Sequence, residues 1–333
     1  MRYPLHRARL FLAFAAIFAG ATAAPATAVA DTYPSHPVTL VSPFAAGGTS
    51  DLVARTIAQP MSEVLGQQVV VVNKTGAGGT IGVSSAAAAP ADGYTIVLGG
   101  LGSIVFPAGV YKGKIRYDAQ RDLVPVGEVG TTPVVIVTRA DLPYKDLKEL
   151  VAFAKAHPDK LSYGSAGVGG TMHMTGVLLE KEAGVRMTHV PYRGSGPAIT
   201  DLLGGQLDLT FAELNVITPH LQSGKLRALA IASPKRNPAI PAVPTTAEQG
   251  FGKVQMETWY ALFAPKNVKP EVMKQLRQAL DKARTAPKTL GTFEAQQITP
   301  AVSTDAQFSE RLKKDFEVWL PMIAEVCGST GCE

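Results

Sequence analysis

Short β-branched runs alternate along this chain with longer amphipathic stretches, and that alternation constrains the fold more than any single motif. The runs are "VTLVS", "QVVVV", "TIVLGG", "PVVIVT", "RMTHVPY", "LDLTF", "ALAIAS" and "WYALFAP". Between them, residues 51–65, 145–156, 172–183, 197–203, 270–284 and 305–325 place apolar side chains at helical spacing. Strands that read as continuous apolar runs separated by helices indicate an α/β protein with parallel sheets covered on both faces. In such sheets a ligand sits beyond the carboxyl ends of the strands, where loops enter helices.

The first thirty residues stand outside this pattern. They carry Arg2, Arg7 and Arg9, then "LFLAFAAIFAGATAA", then "AVA" before Asp31. That is the layout of a secretory signal, with cleavage expected after Ala30. A membrane anchor is the competing reading, but the run is shorter than the roughly 18 to 20 residues a span needs, and no basic stop-transfer follows. Taking thirty residues from 333 leaves 303, enough for one large domain or two smaller ones. The segment holds three arginines and no acid, so the net charge falls from +5 to +2. Lysines and arginines in the remainder are scattered among acids, which argues against a nucleic-acid partner.

Two glycine-rich turns occupy the expected ligand position. "PFAAGGTSD", residues 43–51, lies between a strand and a helix. Gly47 and Gly48 permit positive φ and close backbone approach, so amide N–H groups can turn toward one point at a helix N-terminus and favour an anion. Neither G-x-x-x-x-G-K-[ST] nor G-x-G-x-x-G is present, so a nucleotide phosphate is not indicated. A plain tight turn capped by Thr49, Ser50 or Asp51 is the alternative; Asp51, which would repel an anion, is expected to brace the loop. "LSYGSAGVGGTMHMTG", residues 161–176, repeats the arrangement through Ser165, Gly169 and Thr171.

Other chemistry is sparsely supplied. His173 near a carboxylate can donate a hydrogen bond or act as a base, and it can equally serve a local role. Arg193, in "HVPYRGSGPAITDLLGGQLDLTF", suits a bidentate carboxylate clamp, although an exposed loop arginine is the commoner case. G-x-S-x-G fails at Ser165 because Tyr163 replaces the first glycine. The six histidines show no i,i+4 pair and no H-E-x-x-H, so no metal is expected, and no cofactor. Cys327 and Cys332 in "CGSTGCE" suit a small disulfide loop in an exported chain; a two-cysteine metal site lacks a histidine.

The ordered segments "YPSHPVTLVSPFAAGGTSDLVAR", "GQQVVVVNKTGAGGTIG", "PADGYTIVLG", "LSYGSAGVGGTMH", "HVPYRGSGPAITDLLGGQLDL", "PHLQSGKLRALAIAS" and "IPAVPTTAEQGF" resemble the extracytoplasmic solute receptors of tripartite tricarboxylate transporters, the Bug receptors. The likeness runs from about Tyr33 to Leu320. It implies a type II periplasmic binding protein fold: two α/β lobes joined by a two-strand hinge, with a ligand cleft between them. Crossings are expected near residues 128–134 and 227–233, giving one lobe from 31–130 plus 233–333 and another from 131–232. The resemblance also implies a carboxylate gripped by Phe44, Ala46, Gly47, Gly48 and Ser50 on one side, and by Ser165, Ala166, Gly169, Thr171 and His173 on the other. Arg193 matches the basic residue of the family's "PY[KR]G" segment.

Two departures from the family stand out. Ala212 and Glu213 replace a common Asp-Asn pair, and "LGSIVFP" replaces more polar residues. The more apolar wall favours an aromatic or aliphatic acid, although Glu213 would suit an ammonium group. The expected protein is a monomeric periplasmic receptor, not an enzyme, which delivers a small organic carboxylate to the membrane subunits of its transporter. Two alternatives remain: an exported hydrolase or transferase with His173 as base and Asp51 or Glu213 as partner, and a receptor that signals to a sensor kinase.

Overall fold

The computed structural model describes residues 33–327. The expected signal segment, residues 1–30, and Cys332 lie outside them. The described residues form ten strands: β1 (Val38–Ser42), β2 (Val69–Asn73), β3 (Thr95–Gly100), β4 (Leu123–Arg139), β5 (Ser162–Ser165), β6 (Thr188–Pro191), β7 (Leu209–Glu213), β8 (Leu226–Ile231), β9 (Glu257–Pro265) and β10 (Thr299–Pro300).

They form two sheets that share β4. The first runs β2-β1-β3-β9-β4-β10, with β1 parallel to β2 and β3, and β9 antiparallel to β3 and β4. The second runs β6-β5-β7-β4-β8, with β5 parallel to β6 and β7, and β4 antiparallel to β7 and β8. Within β4, Leu123 to Pro133 pair with β9, whereas Val134 to Arg139 pair with β7 and β8. Two α/β lobes are thus strung on one long strand, the type II periplasmic binding protein arrangement. The all-parallel expectation holds for β1-β2-β3 and β5-β6-β7 and fails at β4, β8 and β9. Strands that carry the chain between lobes run against the βαβ units on either side.

After β8 the chain stays on the second sheet for a further stretch. Thr246 N–H donates to Ile231 O at 3.0 Å, and the Gln249 side chain bridges Leu229 O (2.6 Å) and Leu147 N (2.8 Å). Met256 N–H then donates to Ala232 O at 2.7 Å, and the chain enters β9.

Helices cover the sheets because their apolar residues recur on one face. Thr49–Leu65 buries Val53, Ala54, Ile57, Ala58 and Met61 and packs on the helix Pro270–Thr285. It stops at Gly66, whose left-handed φ of 69° lets its N–H close on Ser62 O. Asp305–Cys327 crosses β4 and buries Phe308, Phe316 and Ile323. Its last residue, Cys327, is disulfide-bonded. No helix among the described residues is long and apolar enough to cross a membrane.

Trp259 fastens this helix to β9. The indole is buried, meets Phe308 edge-on at 5.2 Å and donates Nε1–H to Asp315 Oδ2 at 2.8 Å. Trp259→Phe removes the donor to the half-buried Asp315 carboxylate, so urea unfolding is expected to show a loss of about 1 to 2 kcal/mol.

Candidate functional site

The first glycine turn enters the helix Thr49–Leu65 without a capping side chain: Gly48 is the N-cap, and its carbonyl accepts Leu52 N–H at 3.0 Å. Thr49, Ser50 and Asp51 therefore do not cap it. Asp51 instead accepts Gly47 N–H at 3.2 Å, Asn73 Nδ2 at 3.0 Å and Arg55 Nε at 3.0 Å. Burial alone would raise its carboxyl, but these hydrogen bonds hold it below the usual range. Asn73 also donates to Phe44 O at 2.9 Å. The loop is braced from behind, and its charged group is already occupied.

The second turn is built alike. Gly170 is the N-cap of Thr171–Ala183, again without a side-chain cap. Ser195–Leu203 starts from Gly194 and Leu214–Gln222 starts from Glu213, neither with a side-chain cap. The starts of these four helices, two from the long glycine turns and two from the ends of β6 and β7, meet at one cavity of about 30 Å³. A helix start carries unsatisfied N–H groups and a partial positive charge. Four of them around one space, with no lysine or arginine in its lining, give it the electrostatics that suit an anion.

Of the residues expected from sequence, Phe44, Gly48, Ser50, Ala166, Thr171 and Glu213 line this cavity together. Ala46 and Gly47 are exposed, and Gly47 faces a wider groove of about 600 Å³ on the outer side of the same loop. Its φ of 83° requires glycine, yet a Cβ there would meet open space. Arg193 is exposed in another groove of about 520 Å³; its carbonyl, not its guanidinium, ties the lobes by accepting Ala45 N–H at 3.0 Å.

Ser165, Gly169 and His173 lie behind the cavity wall. The Ser165 hydroxyl accepts Gly167 N–H at 3.0 Å and sits 2.6 Å from His189 Nε2. Gly169 N–H donates to His173 Nδ1 at 3.0 Å, and the two imidazoles stack at 4.0 Å with Tyr163 against them. Burial, with His189 alongside, pushes His173 down to about 3, and burial pushes His189 down to about 4. Both rings are neutral props for the second turn. Ser165 and His189 are within hydrogen-bond reach of each other, but neither lines the cavity.

Sequence reasoning missed His189, Ser195, Thr258 and Tyr260. The last two stand two apart on β9 and so share a face; both line the cavity, as Ser195 does. The lobes touch through Tyr260 Oη to Glu213 Oε1 at 3.3 Å, Thr49 Oγ1 to Asn215 Oδ1 at 2.9 Å and Tyr111 Oη to Val168 O at 2.9 Å.

Comparison with known proteins agrees with the two-lobed fold. Residues 53–327 match the tripartite tricarboxylate transporter family receptor. The chain is 35% identical to the periplasmic binding protein BugD, with a TM-score of 0.84 over 88% of this chain and 98% of that one. It is 31% identical to MatC from Rhodopseudomonas palustris, solved with bound malate, with a TM-score of 0.84 over 87% of this chain and 99% of that one. A second R. palustris protein, solved with adipate, is 31% identical, with a TM-score of 0.83 over 88% and 98%.

The buried imidazoles set an acid limit on stability. In the unfolded chain each takes up a proton near pH 6.5, whereas in the fold each resists protonation until about pH 3 to 4. Their contribution is therefore full above pH 6.5 and is lost as pH falls toward 4, at up to about 1.4 kcal/mol per pH unit for each ring. Urea titrations at pH 7.5 and 4.5 are expected to show this fall, and His189→Gln to make it shallower.

Proposed function

The chain belongs to the tripartite tricarboxylate transporter receptor family, and on that premise we propose that it is an exported receptor that closes on a small organic carboxylate and passes it to the membrane subunits of a transporter. One observation carries the reading: four helix starts without capping side chains, drawn from both lobes, converge on a cavity whose lining holds no cation. An anionic oxygen group is the ligand such dipoles stabilise best. Malate and adipate in the similar R. palustris proteins point to dicarboxylates. Phe44 and Met172 in the lining also suit the carbon frame of an aliphatic or aromatic acid.

Binding requires the lobes to part, since a cavity of about 30 Å³ is too small to admit an organic acid. We place the hinge where β4 exchanges partners, at Pro133 and Val134, and where the chain returns through Ala232 and Met256. Export is supported by the basic and apolar order of residues 1–30. A few charge-assisted hydrogen bonds in a closed cleft are enough for micromolar affinity, about 8 kcal/mol. None of the residues lining the cavity is a histidine, cysteine or lysine, so the site is suited to holding an acid more than to converting one.

A thermal-shift screen of malate, adipate, terephthalate and neutral analogues of the same size tests the reading: the acids should raise the melting temperature and the neutral analogues should not. Equal shifts from both would count against an anion site. Closure is tested at Gly102, where an added Cβ would run into the backbone N and Oγ1 of Thr171 on the facing lobe. Gly102→Ala should weaken carboxylate binding at least tenfold by calorimetry while leaving the unliganded melting temperature within about 2 °C.

A further inference from the structure

Glu213 is the one carboxyl group in the cavity lining, and its position is odd for an anion receptor. It ends β7 opposite Val134, at the point where β4 changes partners, so it sits at the floor of the cleft. The residue is 6% exposed. Tyr260 Oη lies 3.3 Å from its Oε1, while Oε2 is buried with no hydrogen-bond partner. Thr258, whose Oγ1 is likewise buried and unpartnered, lines the same cavity. A native fold rarely leaves two buried polar atoms unsatisfied in one small space unless a ligand or an ordered water completes them.

The surroundings decide the form in which Glu213 meets that ligand. The elements packed around it contribute Thr49 and Ser50, Thr171, Ser195, and Thr258 with Tyr260. Among the residues lining the cavity, only Glu213 and the Tyr260 phenol can ionise, and no cation faces the carboxyl. Asp51, on the neighbouring helix, is held by Arg55, Asn73 and Gly47. The helix starts can stabilise one negative charge well. A ligand oxygen within hydrogen-bond reach of an ionised Glu213 would meet a like charge with no cation between them. Burial also raises the Glu213 carboxyl, offset only in part by backbone and Tyr260 hydrogen bonds.

We propose that Glu213 meets the bound organic acid as a neutral carboxylic acid, donating from Oε2 to a ligand oxygen while Tyr260 holds Oε1. This rests on the receptor reading above and deepens it: the preferred ligand is an acid whose far end offers an acceptor oxygen, a second carboxylate or a carbonyl, and not an ammonium group. Binding is then coupled to a proton, because the cleft closes only on the protonated form of Glu213.

Calorimetry with malate, adipate and terephthalate between pH 6.5 and 9, where these acids are fully ionised, tests the assignment. Wild type should lose affinity toward pH 9, approaching about tenfold per pH unit, and should take up a proton from the buffer on binding. Glu213→Gln, which keeps the shape and a donor, should bind within about tenfold of wild type at pH 6.5, with affinity independent of pH. Affinity of the wild type that is flat across this range, or a loss beyond a hundredfold in Glu213→Gln, overturns the assignment while leaving the receptor reading in place. Failure of the wild type to bind any of the three acids overturns the receptor reading, and the assignment falls with it.

Discussion

Close approach of backbone to backbone across the cleft is the constraint on which the rest of the structure depends. At Gly78 a Cβ would run into Val168 O, and at Gly102 into the start of the helix Thr171–Ala183. Only residues without side chains allow the facing turns to come this near, and only at this distance do helix starts from both lobes share one space. A dipole at a helix end acts over little more than its first turn. An ångström or two of extra separation would leave each lobe with a weak, solvated anion site of its own. Glycine here sets the range at which the electrostatics operates.

The same closeness explains why the charged residues sit where they do. An arginine in the cavity would bind a carboxylate more strongly per contact, but it would have to be desolvated each time the cleft shut, and its long side chain would need room. Fixed peptide dipoles carry neither cost, since they are already aimed and already desolvated on one side. Asp51 and Arg55 are kept to the outer side of the first turn, where the pair braces the loop and remains partly exposed. Arg193 contributes a carbonyl and leaves its guanidinium outside. Charge is thus used to hold the loops and, on the receptor reading proposed above, polarised backbone to hold the ligand.

Much of this was legible in the sequence, and the illegible part has a physical cause. "VTLVSPFAAGGTSD" announces strand, turn and helix start in order, and its Gly48 and Ser50 do line the cavity. "GSAGVGGTMH" likewise gives the position of Thr171. What such strings do not reveal is which way each hydroxyl turns. Ser165 looks like a ligand contact and instead lies against His189, two strand positions away in a pairing that sets Tyr163 beside His189. Tyr260 and Thr258 are hidden in "ETWYALFAP", which reads as plain core because its Trp and Phe dominate. The strand alternation that would place both residues on one face is interpretable only once β9 is known to border the cleft. The crossing expected near residues 128–134 lies inside "LVPVGEVGTTPVVIVTR", which pairing on both sides holds as one strand of seventeen residues, a length that its glycines and prolines do not announce.

That unbroken strand also bears on how the lobes move. Because β4 belongs to both sheets, opening cannot proceed by separating two independent domains; at the hinge proposed above it bends the chain where the partners change, near Pro133, a residue without an N–H to lose. Among the described residues, the direct polar ties that opening would break include Ala45 to Arg193, Thr49 to Asn215, Tyr111 to Val168 and Tyr260 to Glu213. Each is worth about 0.5 to 1.5 kcal/mol net of the water that would replace it. Four of them amount to a few kcal/mol, partly cancelled by the strain and lost freedom of the shut form. On the receptor reading proposed above, one small acid touching both lobes can decide between closed and open arrangements separated by so little.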